Sequence, residues 1–428
     1  MPKKESYKKS EALLKKCILL LGWLACFTNL YAPAVWAADC AQAAIQQPQK
    51  QSVVAVPEYS KQIQLARQAA IDVYEHGMRG NGGSAIKNQT GRPPGMAVAV
   101  AVDGKLVWAE GFGFADLEQC VPATPKTKFR IGSTSKPLTS AAAMLLYEQG
   151  RLDLDSPIQR YVPAFPDKGY VITTRQLLGH LGGIRGYTVA DGNDENRDAY
   201  HSVTESLKRF KDDPLIAPPG TKWKYSAYGY VLISAAIEGA SGQDFLSFMH
   251  DRVFLPLGMY DTAADENNKI LSNRARWYNL RSDGTYRNSP YADLSYKWAA
   301  GGFLSTVEDL ARFGSALLKP GFLKQDTLAL IFTPQKPING EKTRVKYGLG
   351  WEIRDSEDPD PAGHGTVRRF EHSGGAVGSS SALIIYPDQK LVIAWLQNSD
   401  DFADWPMFKV AAPFFVDQTE GQPKTTTR

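Results

Sequence analysis

Ser133-Thr-Ser-Lys136 pairs a hydroxyl with an amine three residues later, ahead of a run of good helix formers. A serine hydroxyl is a poor nucleophile at neutral pH, and a desolvated lysine amine is one of the few groups able to activate it. One helical turn separates the two, so both side chains share a face. The helix N-terminus adds partial positive charge where an alkoxide or oxyanion would form. The spacing itself recurs, since Ser6 to Lys9 falls in a charged leader and Ser84 to Lys87 in a Gly/Asn-rich loop. Only Ser133 follows an expected strand and opens an expected helix.

Further residues suit the same chemistry. Tyr225 follows Pro219-Gly220-Thr221-Lys-Trp223 and precedes an expected helix, Tyr228 to Glu238. A phenol near ammonium-like charge loses its proton more easily and can relay it to a leaving group; alone, such a tyrosine is more often packing. In His372-Ser373-Gly374-Gly375 the glycines leave room for a substrate beside a strand edge. A free N–H at Gly375 could form an oxyanion hole with that of Ser133. His372 could hold a polar group of the substrate or tune the tyrosine, and alone it would read as a satisfied histidine at a strand end. Gly301-Gly302 suggests backbone passing close to something bulky, or a tight turn.

The elements that must position these residues follow from periodicity and turn chemistry. An apolar stripe predicts a helix over Tyr59–His76. Met96–Val102 and Lys105–Phe114 flank Asp103-Gly104, a two-residue hairpin signal. Leu383–Tyr386 and Leu391–Gln397 flank Pro387–Lys390 as a second hairpin. The helix carrying Lys136 should end at Gly150. Residues 151–300 read as helices and polar loops, with a strand near Arg276–Asn279. Ser305-Thr-Val-Glu308 reads as a capping box, and Asp404–Val416 as a terminal helix. The expected fold class is α/β (α+β): one antiparallel sheet built from both chain ends and flanked by helices, plus a mostly helical lobe.

The chain has 428 residues, 43% of them hydrophobic and 22% charged, ample for a large core. Residues 1–16 carry six lysines and two glutamates, an apolar run spans Cys17–Tyr31, and Val35-Trp36-Ala37 offers small residues for cleavage. This reads as a secretory signal, residues 1–37, with an uncleaved membrane anchor as the alternative; the apolar run falls short of the roughly 20 residues of a span. The expected organisation continues with a connector (38–57), a catalytic domain (58–416) and a polar tail (417–428). Its sheet lobe covers about 58–130 and 300–416, and its helical lobe about 131–299. The leader accounts for the whole formal charge of +4. The remainder is near neutral, so the basic balance is no argument for nucleic-acid or anionic-membrane binding; no nucleic-acid partner is expected, and no stable membrane anchor once the signal is cleaved. Of four cysteines, Cys17 and Cys26 leave with the leader. Cys40 and Cys120 remain as a candidate disulfide, free thiols being the alternative. The six histidines are scattered, so no metal and no cofactor is expected.

Ser133-Thr-Ser-Lys136, Pro219-Gly220-Thr221 leading to Tyr225-Ser226, Trp298-Ala-Ala-Gly-Gly-Phe-Leu-Ser-Thr, Tyr347-Gly-Leu-Gly-Trp351 and His372-Ser373-Gly374 occur in one order. In that order and spacing the chain, from about 58 to 416, resembles the serine β-lactamase and penicillin-binding protein superfamily, class C-like branch. Arg130-Ile-Gly-Ser-Thr-Ser-Lys, Leu152-Asp-Leu-Asp-Ser-Pro, Tyr161-Val-Pro-Ala-Phe-Pro, His180-Leu-Gly-Gly-Ile-Arg-Gly-Tyr187 and Ser295-Tyr-Lys-Trp-Ala-Ala-Gly-Gly are most similar to its mitochondrial β-lactamase-like serine protease branch. The resemblance implies Ser133 as nucleophile, Lys136 as base, Tyr225 as proton relay and oxyanion donors at Ser133 and Gly375. Two departures stand out. His372 replaces the lysine of true β-lactamases, and Ala227 replaces the asparagine that orients the base. Both disfavour β-lactam turnover while leaving acyl transfer on esters or peptides open. His180 reads as structural. The expected activity is an exported (periplasmic or extracellular) peptidase or esterase acting on a small-molecule or peptide substrate. The alternatives are a D-alanyl-D-alanine carboxypeptidase or weak β-lactamase and, since the mitochondrial branch assembles into filaments, a homo-oligomeric scaffold with little turnover.

Overall fold

The computed structural model describes residues 53–76, 92–188, 191, 196–281, 285–355, 367–400 and 406–415. The leader, Cys40, most of the connector and the polar tail lie outside these. In chain order the strands are β1 Val54–Ala55, β2 Gly95–Val102, β3 Lys105–Asp116, β4 Val121–Pro122, β5 Phe129–Arg130, β6 Ala263–Ala264, β7 Tyr278–Leu280, β8 Tyr286–Asn288, β9 Phe303–Ser305, β10 Glu352–Arg354, β11 Arg369–Ala376, β12 Ser379–Tyr386 and β13 Leu391–Gln397. Among the described residues the main sheet runs β1-β3-β2-β13-β12-β11-β10, with β4 on β3. Its pairings are antiparallel, and β13 joins β2 through Ala394↔Ala99, so the two chain ends make one sheet.

Both faces of this sheet are covered, which is why β2 (Gly-Met-Ala-Val-Ala-Val-Ala-Val) shows no polar alternation. Met96, Val98 and Val100 pack with Ile63, Ala66, Ala70 and Val73 of the Ser60–His76 helix and with Met407 and Val410 of the Pro406–Ala411 helix. The opposite face is small. Ala97, Ala99 and Ala101 join the larger core with Leu138, Leu310 and Phe313, so helices approach closely there. Asp103 (φ 51°) and Gly104 (φ 79°) make the expected two-residue turn. Gly150 (φ 68°) ends the helix carrying Lys136, with its N–H on Tyr147 O and that of Arg151 on Leu146 O.

Local expectations shift in three places. Val54–Ala55 lies within the expected connector but is a strand paired with Ala109 and Trp108. Two residues carry no readable period. The helix at 307 is capped by Thr306, whose side chain accepts the Asp309 N–H, because Ser305 is already spent as the last residue of β9. The strand near 276 is Tyr278–Leu280, paired with Tyr286–Asn288.

Candidate active site

Strand β5 delivers the candidate nucleophile. Phe129 and Arg130 pair with Ser305 and Leu304 of β9, and Ile131 N–H reaches Phe303 O. Arg130 is locked in the core by an ion pair to Asp265 at 2.7 Å and a hydrogen bond to Val377 O at 3.0 Å. Ser133 then sits in a 3-10 turn, Gly132–Thr134, and the α-helix proper runs Ser135–Glu148. The tighter turn eclipses positions three apart. It brings Lys136 Nζ within 2.9 Å of Ser133 Oγ.

Lys136 is wholly buried, and Nζ also donates to Ala300 O at 2.7 Å. A neutral amine in the same place can accept the Ser133 proton while keeping the Ala300 bond, which is what a general base requires. Aromatic rings close the pocket, with Nζ 4.8 Å from the Tyr225 ring centroid and 5.6 Å from that of Tyr230. Tyr225 and Ser133 are each partly exposed, so the reacting face opens outward while the base is sealed behind it.

Glycines permit this crowding at two points. A Cβ on Gly132 (φ 46°) would stand 2.5 Å from Gly375 O and 2.8 Å from Gly375 N, so the residue before Ser133 lies directly on the Gly375 peptide. A Cβ on Gly374 would stand 2.8 Å from Ser133 N, whereas one on Gly375 would meet nothing within 4 Å. The Ser133 and Gly375 peptides therefore lie close together beside β11. Gly301 explains the expected close approach. A Cβ on Gly301 would stand 3.3 Å from the Gly132 backbone, and one on Gly302 would stand 3.1 Å from the Trp298 ring, so the pair does pass close to a bulky group.

His372, on β11, is buried beneath this edge, and Ser373 and Gly375 are exposed on it. Its Nδ1 lies 2.6 Å from Ser373 O, which assigns the ring proton there and leaves Nε2 to accept from Tyr347 Oη at 3.0 Å. Burial, with Lys136 adding to it, pushes His372 down to about 3. The ring is neutral and both nitrogens are engaged, so it offers a substrate no positive charge. Ala227 is the first residue of a buried helix, Ala227–Ser241, capped by Ser226, whose Oγ accepts the Gly229 N–H. No amide replaces the missing asparagine at that position.

Sequence reasoning placed Ser133, Lys136, Tyr225 and His372–Gly375 together, and they do meet. It missed the group that packs behind them. Tyr347 stood in a glycine-rich motif with no role, and His180 was read as structural. His180 contacts the rings of Tyr225 (4.3 Å), Tyr347 (4.6 Å) and Tyr230 (5.3 Å). Its positive φ of 60° and a buried Nε2 without a hydrogen-bond partner each cost stability, by roughly 1–2 and 1–3 kcal/mol. Desolvation, then Lys136 and His372, hold it well below the usual histidine range. Cys120 is disulfide-bonded, and Cys17, Cys26 and Cys40 all lie outside the described residues.

A serine and a buried lysine beside an antiparallel sheet, facing a glycine-lined strand edge, are the arrangement of a serine hydrolase. Sequence comparison gives the family. The Beta-lactamase profile matches residues 73–407, and the chain belongs to that family. It is 36% identical over 392 residues to the human mitochondrial serine beta-lactamase-like protein LACTB, covering 71% of this chain and 70% of that one. Penicillin-binding protein 4* of Bacillus subtilis is 27% identical over 323 residues, covering 72% and 69%. Among solved structures, the octameric penicillin-binding protein homologue from Pyrococcus abyssi superposes with a TM-score of 0.63 at 27% identity, covering 75% of this chain and 72% of that one.

Proposed function

We propose that the protein is an exported hydrolase that works through an acyl-enzyme on Ser133 and acts as a peptidase or esterase. The 2.9 Å contact between Ser133 Oγ and the sealed Lys136 Nζ carries this reading. Lys136 takes the Ser133 proton as Oγ attacks the substrate carbonyl carbon. The N–H groups of Ser133 and Gly375 hold the oxyanion. Tyr225 protonates the leaving group as the bond to carbon breaks, and water then releases the acyl group from Ser133. A neutral, fully engaged His372 and Ala227 favour uncharged ester and amide acyl groups over carboxylate-bearing β-lactams and D-alanyl-D-alanine. Export is supported by the leader and by the disulfide at Cys120, a bond that persists in oxidising compartments.

Intact-mass analysis of residues 38–428 after exposure to a fluorophosphonate tests the assignment. One adduct, absent in Ser133→Ala, is expected. An adduct retained in that variant would move the nucleophile elsewhere. Assembly into a homo-oligomer or filament is a second reading, favoured by the octameric state of the Pyrococcus homologue. Light scattering of the mature protein tests it, and a monomer at all concentrations would refute it.

A further inference from the structure

His180 combines a left-handed backbone with a buried, unpartnered Nε2, and the mechanism above leaves it unused. It follows the short Thr174–Leu178 helix, whose end is closed by His180 N–H on Leu177 O and Leu181 N–H on Gln176 O. That pattern puts His180 in the left-handed position glycine usually takes, although Gly179, Gly182 and Gly183 surround it in sequence. A histidine kept there, with Nε2 buried and unpartnered, is held for its side chain.

Its contacts say what the side chain does. His180 O accepts the Lys224 N–H at 2.9 Å, and Nδ1 accepts the Ser226 N–H at 3.2 Å. The residues on both sides of Tyr225 are thereby tied to one histidine. The imidazole itself lies against the Tyr225 ring at 4.3 Å, and Trp223, Tyr230 and Tyr347 pack around the imidazole. Because Nδ1 accepts, Nε2 carries the ring proton, and the imidazole has no lone pair free to take a proton from Ser133 or a leaving group.

We propose that His180 is the positioning residue of Tyr225, a platform that fixes the phenol beside Ser133 and Lys136 so that it can protonate the leaving group. This rests on the acyl-enzyme reading. Loss of the platform should leave attack by Ser133 intact and slow only the departure of groups that need a proton. A p-nitrophenolate leaves without one, whereas a p-nitroanilide must be protonated as the C–N bond breaks.

The test compares p-nitrophenyl acetate with p-nitroacetanilide in wild type, Ser133→Ala and His180→Asn. Asparagine tolerates the left-handed backbone and can offer an amide oxygen to the Ser226 N–H, but removes the ring. The anilide-to-ester ratio of kcat should fall about tenfold or more in His180→Asn, with KM little changed. The same substitution in a Tyr225→Phe background should lower the ratio no further. If His180→Asn does not fold, His180→Gly assayed with and without added imidazole replaces it, and imidazole should restore the ratio. An unchanged ratio, equal losses on both substrates, or a full further loss without the Tyr225 hydroxyl would overturn the proposal. A Ser133→Ala variant as active as wild type would instead sink the acyl-enzyme reading on which it rests.

Discussion

Ser133 and Lys136 meet across one turn of chain, whereas His180, Tyr225, Tyr347 and His372 arrive from four separate segments to close around them. The first pair is fixed by local geometry, since a 3-10 turn running into a helix stacks positions three apart whatever surrounds it. The second group exists only because a sheet strand, a helix N-terminus and two loops pack together. Reactivity is thus written locally, and the setting in which it operates (dry, aromatic, with one amine among neutral rings) is written by packing. Lys136 feels both, bonded to its near neighbour Ser133 and to the distant Ala300 carbonyl.

The sharpest way to break this contrast is to remove the local pair. Ser133→Ala should lower kcat by about 10³-fold or more, and Lys136→Met by about 10²-fold or more, with far-UV circular dichroism unchanged. Turnover near wild type in either would show that the packed group can act without the pair.

Acid should then expose the packed group alone. His180 and His372 stay neutral in the fold, and the unfolded chain takes up a proton on each as pH falls below 6.5. Stability therefore falls with pH below about 6.5, with a slope approaching about 2.7 kcal/mol per unit from these two groups. The loss continues until the folded histidines themselves protonate, near pH 3 for His372. Denaturant titrations between pH 6.5 and 5 should show this slope, flattened in a His180→Gln, His372→Gln double variant. A slope unaffected by the double substitution would place the protons elsewhere.

The smallest effect belongs to a single bond inside the packed group. Tyr347→Phe removes the donor to His372 Nε2 and leaves a buried acceptor unpaired, so unfolding free energy should drop by about 1–3 kcal/mol. Combining it with His372→Gln in a double-mutant cycle should recover part of that loss. Simple additivity would mean that the two side chains do not support each other.

Particular residues show where sequence reading reaches and where it stops. The Asp103-Gly104 turn fixes its hairpin because few residue pairs accept two positive φ angles. Alternating Ala and Val marks β2 as strand, and strand-rich ends predicted a single sheet, which β2 and β13 form. The cap at Thr306 was misplaced by one residue, since only the pairing of β9 with β5 shows that Ser305 belongs to a strand. His180 carried no signal of its task. Nothing in the chain around position 180 reports that Tyr225 will lie on its ring, and a left-handed histidine beside glycines looks like a loop residue.

The sequence by itself determined the serine hydrolase family, the sheet built from both ends, and the serine–lysine pair. All three rest on short-range periodicity, turn sterics and motif spacing. Only the tertiary structure decided that Lys136 is sealed from water, that His372 is neutral and fully bonded, and that His180 stands under Tyr225. Those depend on desolvation and on contacts between segments far apart in the chain, and neither quantity exists until the chain is packed.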